Sequence, residues 1–152
     1  MKHSMLVGYQ WVTGAVDVCA GVLLYLAPDA TLRTMGVRAP MDATPYVSCI
    51  GAFMLSVGLS CIYGAFLLRQ EATPERLETV WLLTAFARSA VAIYVIKSLL
   101  TGELEAPWMA VALFDGVCVV TQAVGLRWRW AAAGMVSGVR LQGSRIGMGG
   151  VR

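Results

Sequence analysis

The chain is 152 residues and 16.3 kDa, with 58% hydrophobic and 14% charged residues, a mean hydropathy of +0.68 and a formal net charge of +3. So sparse a polar surface excludes an ordinary water-soluble enzyme, and the apolar content excludes a disordered chain. Four cysteines in this length exclude a disulfide-dense scaffold.

The first apolar run, 5–27, exceeds the roughly 20 residues a helix needs to cross a bilayer and contains one charge, Asp17. Its length, that central Asp17 and the lack of a small-residue cleavage site predict a retained span rather than a cleaved signal peptide. Pro28 closes it. Residues 30–36, Ala-Thr-Leu-Arg-Thr-Met-Gly, read either as a short surface helix, with Leu32 and Met35 dipping into the interface and Gly36 ending it, or as an ordered loop.

The second run, 46–68, has no charge, and Thr44 and Pro45 read as its N-cap and first helical residue. Ser48, Ala52, Ser56, Ser60 and Gly64 recur along it at every fourth residue, while Gly51 and Gly58 form a second small-residue stripe. Such stripes let backbones approach closely, within one bundle, in a homodimer or against a foreign subunit. The third helix, 74–100, opens with Thr73 and Pro74 in the same pattern and holds Arg88 and Lys97. The fourth, 107–127, opens at Pro107 and holds Asp115.

Continuous apolar runs without strand alternation can satisfy their backbone groups in lipid only as helices. The predicted fold is therefore all-α, an integral membrane four-helix up-down bundle over 1–130, followed by a Gly/Arg-rich tail, 131–152. Lys2, Arg69, Arg76, Arg127, Arg129, Arg140, Arg145 and Arg152 fall on the side of the termini; Arg33 and Arg38 fall on the other, where Lys97 also ends. That asymmetry predicts both termini on the cytoplasmic side of the cell membrane. Trp11, Trp81, Trp128 and Trp130 would then form the inner aromatic belt, with Trp108 at the outer one. The tail carries Arg140, Arg145 and Arg152 and no acid, and reads as solvated or as folding against a partner or anionic headgroups, at about 1 kcal/mol per basic residue.

Asp17, Arg88 and Asp115 each lie within about two residues of a span midpoint, so at 1.5 Å per residue they share roughly one depth. Neighbouring helices could draw them together, with the guanidinium between two carboxylates. Lys97, near its helix end, can snorkel to the interface. Small and polar residues on the same faces, Gly14 and Gly21, Thr84 and Ala92, Cys118 and Gln122, point these helix sides at each other rather than at lipid. The cluster has a net formal charge of −1, which predicts a protonated Asp, or a cation or ligand group completing the site. It reads either as a buried staple fixing helix register or as a proton or ligand site.

His3 is the sole histidine, which excludes a bis-histidine haem or a His-based zinc site. Cys19, Cys49, Cys61 and Cys118 show no C-x-x-C spacing and read as small apolar packing residues. With no nucleophile elbow, phosphate loop or metal motif, neither enzyme activity nor a cofactor is expected, though the bundle leaves room for a bound lipid or pigment. The tail has no interleaved aromatics, so nucleic acid is not an expected partner.

Pro28 after the first span, Gly51-Ala52-Phe53 and Gly58-Leu59 in the second, Arg88 in the third, the Gly102 to Pro107 turn and Asp115 in the fourth together resemble small bacterial four-helix membrane proteins of the DoxX-like kind, over 7–127. Ser48 and Cys49 stand where that pattern would place an arginine. The resemblance implies the four-helix fold and little about activity. The expected function is a non-enzymatic accessory subunit of a larger membrane complex, such as a respiratory or photosynthetic one, with other integral membrane subunits, a second copy of itself or anionic inner-face lipid as partners. The alternative is a small proton-linked carrier or ligand-binding protein built on Asp17, Arg88 and Asp115.

Overall fold

The computed structural model describes residues 3–37, 43–70, 73–130 and 132, and among these no strand occurs. The helices are α1 (His3–Leu26), α2 (Pro28–Thr34), α3 (Thr44–Arg69), α4 (Pro74–Leu100) and α5 (Met109–Arg127), the last entered through a 3-10 turn at Ala106–Trp108. Four stretches, His3–Leu26, Thr44–Arg69, Pro74–Leu100 and Ala106–Arg127, are long and apolar enough to cross a membrane. By length and composition the chain is a multi-pass membrane protein. Its outward faces agree: Phe53, Phe86, Ile93, Tyr94, Leu113 and Val117 are all exposed. A soluble monomer would not leave so much apolar surface in water.

Proline and glycine set the element boundaries. Pro28 ends α1, but the Thr31 amide still donates to the Ala27 carbonyl at 3.0 Å, so the chain re-enters a helix at once. Of the two readings of residues 30–36, the helix is the one found. Gly36 closes it at φ +77°, a left-handed conformation suited to glycine, and the Val37 amide reaches back to the Leu32 carbonyl at 2.9 Å. Leu32 is buried against Leu24, Val37 and Val47, with Met35, Met54 and Trp108 around them. Gly102, at φ +74°, ends α4 in the same way.

Of the two expected N-cap residues, Thr44 is corrected and Thr73 is found in place. Thr44 begins α3 but its hydroxyl does not cap it; the hydroxyl donates to the Asp29 carboxylate at 3.0 Å, tying α3 to the start of α2. Thr73 occupies the N-cap position of α4 in extended backbone but makes no side-chain cap bond; its carbonyl accepts from the Arg76 amide at 3.1 Å.

α1 and α3 pack antiparallel through glycine. A Cβ on Gly21 would fall 2.6 Å from the Leu55 nitrogen, one on Gly51 would fall 2.5 Å from the Tyr25 nitrogen, and one on Gly58 would fall 2.7 Å from the Val18 nitrogen. Here backbone lies directly on backbone. The stripe that makes this contact is Gly51 and Gly58. Gly64, from the other stripe, is buried against Gln10, but Ser56 is exposed and Ser48, Ala52 and Ser60 are only half-buried. Ser56 and Ser60 instead donate back to the Ala52 and Ser56 carbonyls, four residues earlier in their own helix.

α4 and α5 are also antiparallel, with Thr84 beside Gln122 and Trp81 beside Gly125. α4 runs parallel to α1, placing Trp81 edge-on to Tyr9 with ring centroids 6.1 Å apart. This corrects the expected position of Trp81, which is not at the lipid interface but completely buried. Gly125 makes the room: a Cβ there would overlap the Trp81 ring. Leu6, Leu68, Leu77 and Trp81, with Val7, Leu126 and Trp130, thereby close the end of the bundle where α1 begins.

Candidate intramembrane binding site

The helix faces converge on one cluster of charges. Asp17 shares its face with Thr13, Gly14 and Gly21, Arg88 with Thr84 and Ala92, and Asp115 with Ala112, Cys118 and Gln122, and all of these are buried. Arg88 Nη1 donates to Asp115 Oδ1 at 2.6 Å, and Arg88 Nη2 donates to Asp17 Oδ2. Asp17, Arg88 and Asp115 are 3%, 3% and 8% exposed. α1, α4 and α5 are therefore joined at mid-length by one guanidinium forked between two carboxylates. The Arg88 guanidinium also lies over the Phe114 ring, 5.3 Å from its centroid, and Cys61 Sγ of α3 stands 4.0 Å from Nη2.

These bonds use one oxygen of each carboxylate, which leaves Asp17 Oδ1 and Asp115 Oδ2 as acceptors. Arg88 Nε is buried and has no hydrogen-bond partner among the described residues. The cluster holds two acids and one base, a net formal charge of −1. In a low-dielectric interior that imbalance favours a proton or a donor group arriving at the carboxylates.

A cavity of about 320 Å³ opens directly on this cluster. Its walls are apolar, formed by Val16, Ala20, Phe53, Val57, Val91 and Val111, and Asp17, Arg88 and Asp115 supply its charged floor. Apart from Val16, its lining on α1, α4 and α5 runs from the triad toward the α2 side, away from the packed Leu6, Leu68 and Leu77 end. Ile50 and Phe53 on its wall remain exposed, so it is open rather than sealed. Volumes of about 300–1,000 Å³, apolar walls and a few convergent polar groups characterise small-molecule sites. A second crevice, about 220 Å³ between α3 and α4, is lined by Ser56, Ser60, Tyr63, Leu83 and Thr84 among others and contains no charged residue.

Sequence reasoning placed Cys118 on the Asp115 face but passed over other neighbours of the triad. Cys61 and Cys118 are buried beside it, whereas Cys19 and Cys49 are exposed and do not pack as expected. The Tyr9 hydroxyl donates to the Cys118 carbonyl at 3.4 Å. Gln10, Thr13 and Asp17 form an i, i+3, i+7 row, a periodic signal that could have pointed to Gln10. Lys97 is exposed at its helix end. Among the described residues no group of three His, Cys, Asp or Glu side chains could hold a metal ion. Lys2, Arg38 and the tail contacts proposed for Arg140, Arg145 and Arg152 lie outside the described residues. No protein-family model matches the chain, and no significant match to a curated protein or a solved structure is found.

Proposed function

We propose that this chain is a small integral membrane ligand-binding or carrier protein. Its ligand is a lipophilic molecule whose head donates a hydrogen bond, an amine or a hydroxyl. The observation that carries the reading is the apolar cavity that ends on two carboxylates and one guanidinium. Packing alone would favour filling that space with side chains. The apolar tail would lie along Val57, Val91 and Val111, and the head would meet Asp17 Oδ1 and Asp115 Oδ2. The basic residues of the loops support the termini facing the cytoplasm and the cell membrane as location. Kinship with DoxX-like proteins belongs to the same proposal and rests on the residue pattern alone.

The test is thermal unfolding of the protein in lipid nanodiscs with twelve-carbon probes that differ only in their heads. Dodecylamine and dodecanol are expected to raise the melting temperature with concentration, as a ligand specific for the folded state must, while dodecane and ionised dodecanoate are not. Ala20→Phe and Val111→Phe, on opposite walls, should each abolish the shift. Equal shifts with all four probes, or shifts that survive both wall substitutions, would refute the reading.

A second reading, the non-enzymatic accessory subunit of a larger complex, is favoured by the outward part of the stripe at Ser48, Ala52, Ser56 and Ser60, which α1 does not cover. Stoichiometric co-purification with other membrane subunits is its signature.

A further inference from the structure

A buried polar layer lies two helical turns from the triad, on the side away from the cavity. Gln10, Trp81 and Gln122 are each seven residues from a triad member, on α1, α4 and α5, toward the end where α1 begins. Seven residues span about 10 Å of helix, so the three side chains occupy one depth. All three are completely buried. Among the described residues, both Gln10 amide atoms, Trp81 Nε1 and Gln122 Oε1 have no hydrogen-bond partner.

The Gln122 amide has a fixed orientation and is still unsatisfied. The Thr84 hydroxyl donates to the Val80 carbonyl at 2.8 Å, so its oxygen accepts from Gln122 Nε2 at 2.9 Å, which fixes Gln122. Gln10, as placed, leaves both of its amide atoms unpartnered. The layer therefore offers both donors and acceptors that do not satisfy one another. Buried groups of this kind are costly unless bonded, and internal water is their usual partner. Toward the triad, Thr13, Thr84, Cys118 and Cys61 are buried, and Arg88 Nε is a fifth unpartnered atom. Away from it, Leu6, Leu68 and Leu77 form an apolar plug.

We propose that Gln10, Trp81 and Gln122 form an internal water-binding site that solvates the Asp17, Arg88 and Asp115 triad from its closed side. This water lets the triad carboxylates exchange protons while the cavity is occupied. The exchange makes and breaks only O–H bonds: a proton leaving a carboxyl group joins a water oxygen and leaves a carboxylate behind, and its return restores the acid. The titratable groups around the triad carboxylates are Arg88 from α4, which bonds both of them, Cys61 from α3, 4.0 Å from Arg88 Nη2, and Cys118, three residues from Asp115 on α5; the Tyr9 hydroxyl from α1 bonds the Cys118 carbonyl. The water site itself stands on the layer's geometry, while its role during occupancy rests on the ligand-binding reading above.

The test is water-to-NH cross-relaxation in the full chain, labelled with ¹⁵N at tryptophan and arginine side chains in nanodiscs of deuterated lipid, with Trp81→Phe and Arg88→Lys assigning the signals. Water cross-peaks are expected at both Trp81 Nε1–H and Arg88 Nε–H, and they should persist in Ala20→Phe, which fills the cavity. In the double variant Gln10→Met/Gln122→Met they should fall at least severalfold, without a gain in melting temperature. Absence of cross-peaks in the unsubstituted protein overturns the proposal without needing any variant. A double variant with a raised melting temperature also overturns it, because removing dry, unpaired amides would stabilise the bundle. Cross-peaks that vanish in Ala20→Phe would show water arriving through the cavity, and would overturn the closed-side role. The ligand reading is judged independently by the dodecylamine shift, which depends on the cavity wall and not on the glutamines.

Discussion

Arg88→Leu is expected to destabilise the folded bundle by about 3–5 kcal/mol, because it leaves the buried carboxylates of Asp17 and Asp115 facing each other without their shared cation. The loss exceeds that of a hydrogen bond because neither acid can turn to bulk water: both side chains are buried between helices. Arg88→Lys should recover only part of the stability, since an ammonium is a point donor and cannot fork between carboxylates on α1 and α5. Asp17→Asn and Asp115→Asn, made separately, should each cost less than Arg88→Leu, because the guanidinium keeps one carboxylate. The triple variant Asp17→Asn/Arg88→Met/Asp115→Asn removes all three charges, and a buried ionic set replaced by neutral groups is often neutral or stabilising. Unfolding in mixed micelles would rank these variants. If Arg88→Leu matches the unsubstituted protein, the triad contributes nothing to the fold. If the triple variant is stable yet fails to bind dodecylamine, the charges serve the ligand rather than the scaffold.

Gly21→Val and Gly51→Val are expected to be the most damaging substitutions at sites without charge. A Cβ at either position would meet the backbone of the facing helix, at 2.6 Å from the Leu55 nitrogen and 2.5 Å from the Tyr25 nitrogen. Backbone cannot rotate away as a side chain can, so α1 and α3 must separate along their length. Overpacking costs about 1–3 kcal/mol where neighbours can relax, and these two should exceed that range. Gly8 and Gly116 supply the control, since a Cβ on either meets nothing within 4 Å. Gly8→Ala and Gly116→Ala should leave stability unchanged or raise it by up to about 1 kcal/mol through helix propensity. Equal effects at all four glycines would contradict the close α1–α3 approach.

The chain's pattern revealed what depends on local sequence and on counting. Apolar length marked the four spans, Pro28 marked the end of the first, and Pro45 and Pro74 marked helix starts because proline fits the first turn whatever surrounds it. Residue counting put Asp17, Arg88 and Asp115 at one depth, since rise per residue is constant, and their contact then required only that α1, α4 and α5 be neighbours. What was not legible is relational. Trp81, near a helix end, looks like an interfacial anchor, and only Gly125, 44 residues later, makes the pocket that buries it. The serine stripe of α3 is longer than the Gly51 and Gly58 pair, but Gly14 and Gly21 on α1 complement the glycines, and that choice is invisible from α3 alone. The Thr44 hydroxyl donates to Asp29 at the start of α2, a partner that the sequence around α3 does not show. The cavity is volume that four helices jointly leave unfilled, so no single stretch of sequence encodes it.

The most direct measurement is gentle extraction from native membrane followed by native mass analysis of the particles that contain the 16.3 kDa chain. The ligand-binding account predicts a monomer or homodimer that carries an additional small mass of lipophilic character, lost when Ala20→Phe or Val111→Phe fills the cavity. A large assembly of fixed stoichiometry, with no such mass on this chain, would contradict it and make the accessory-subunit reading the better one.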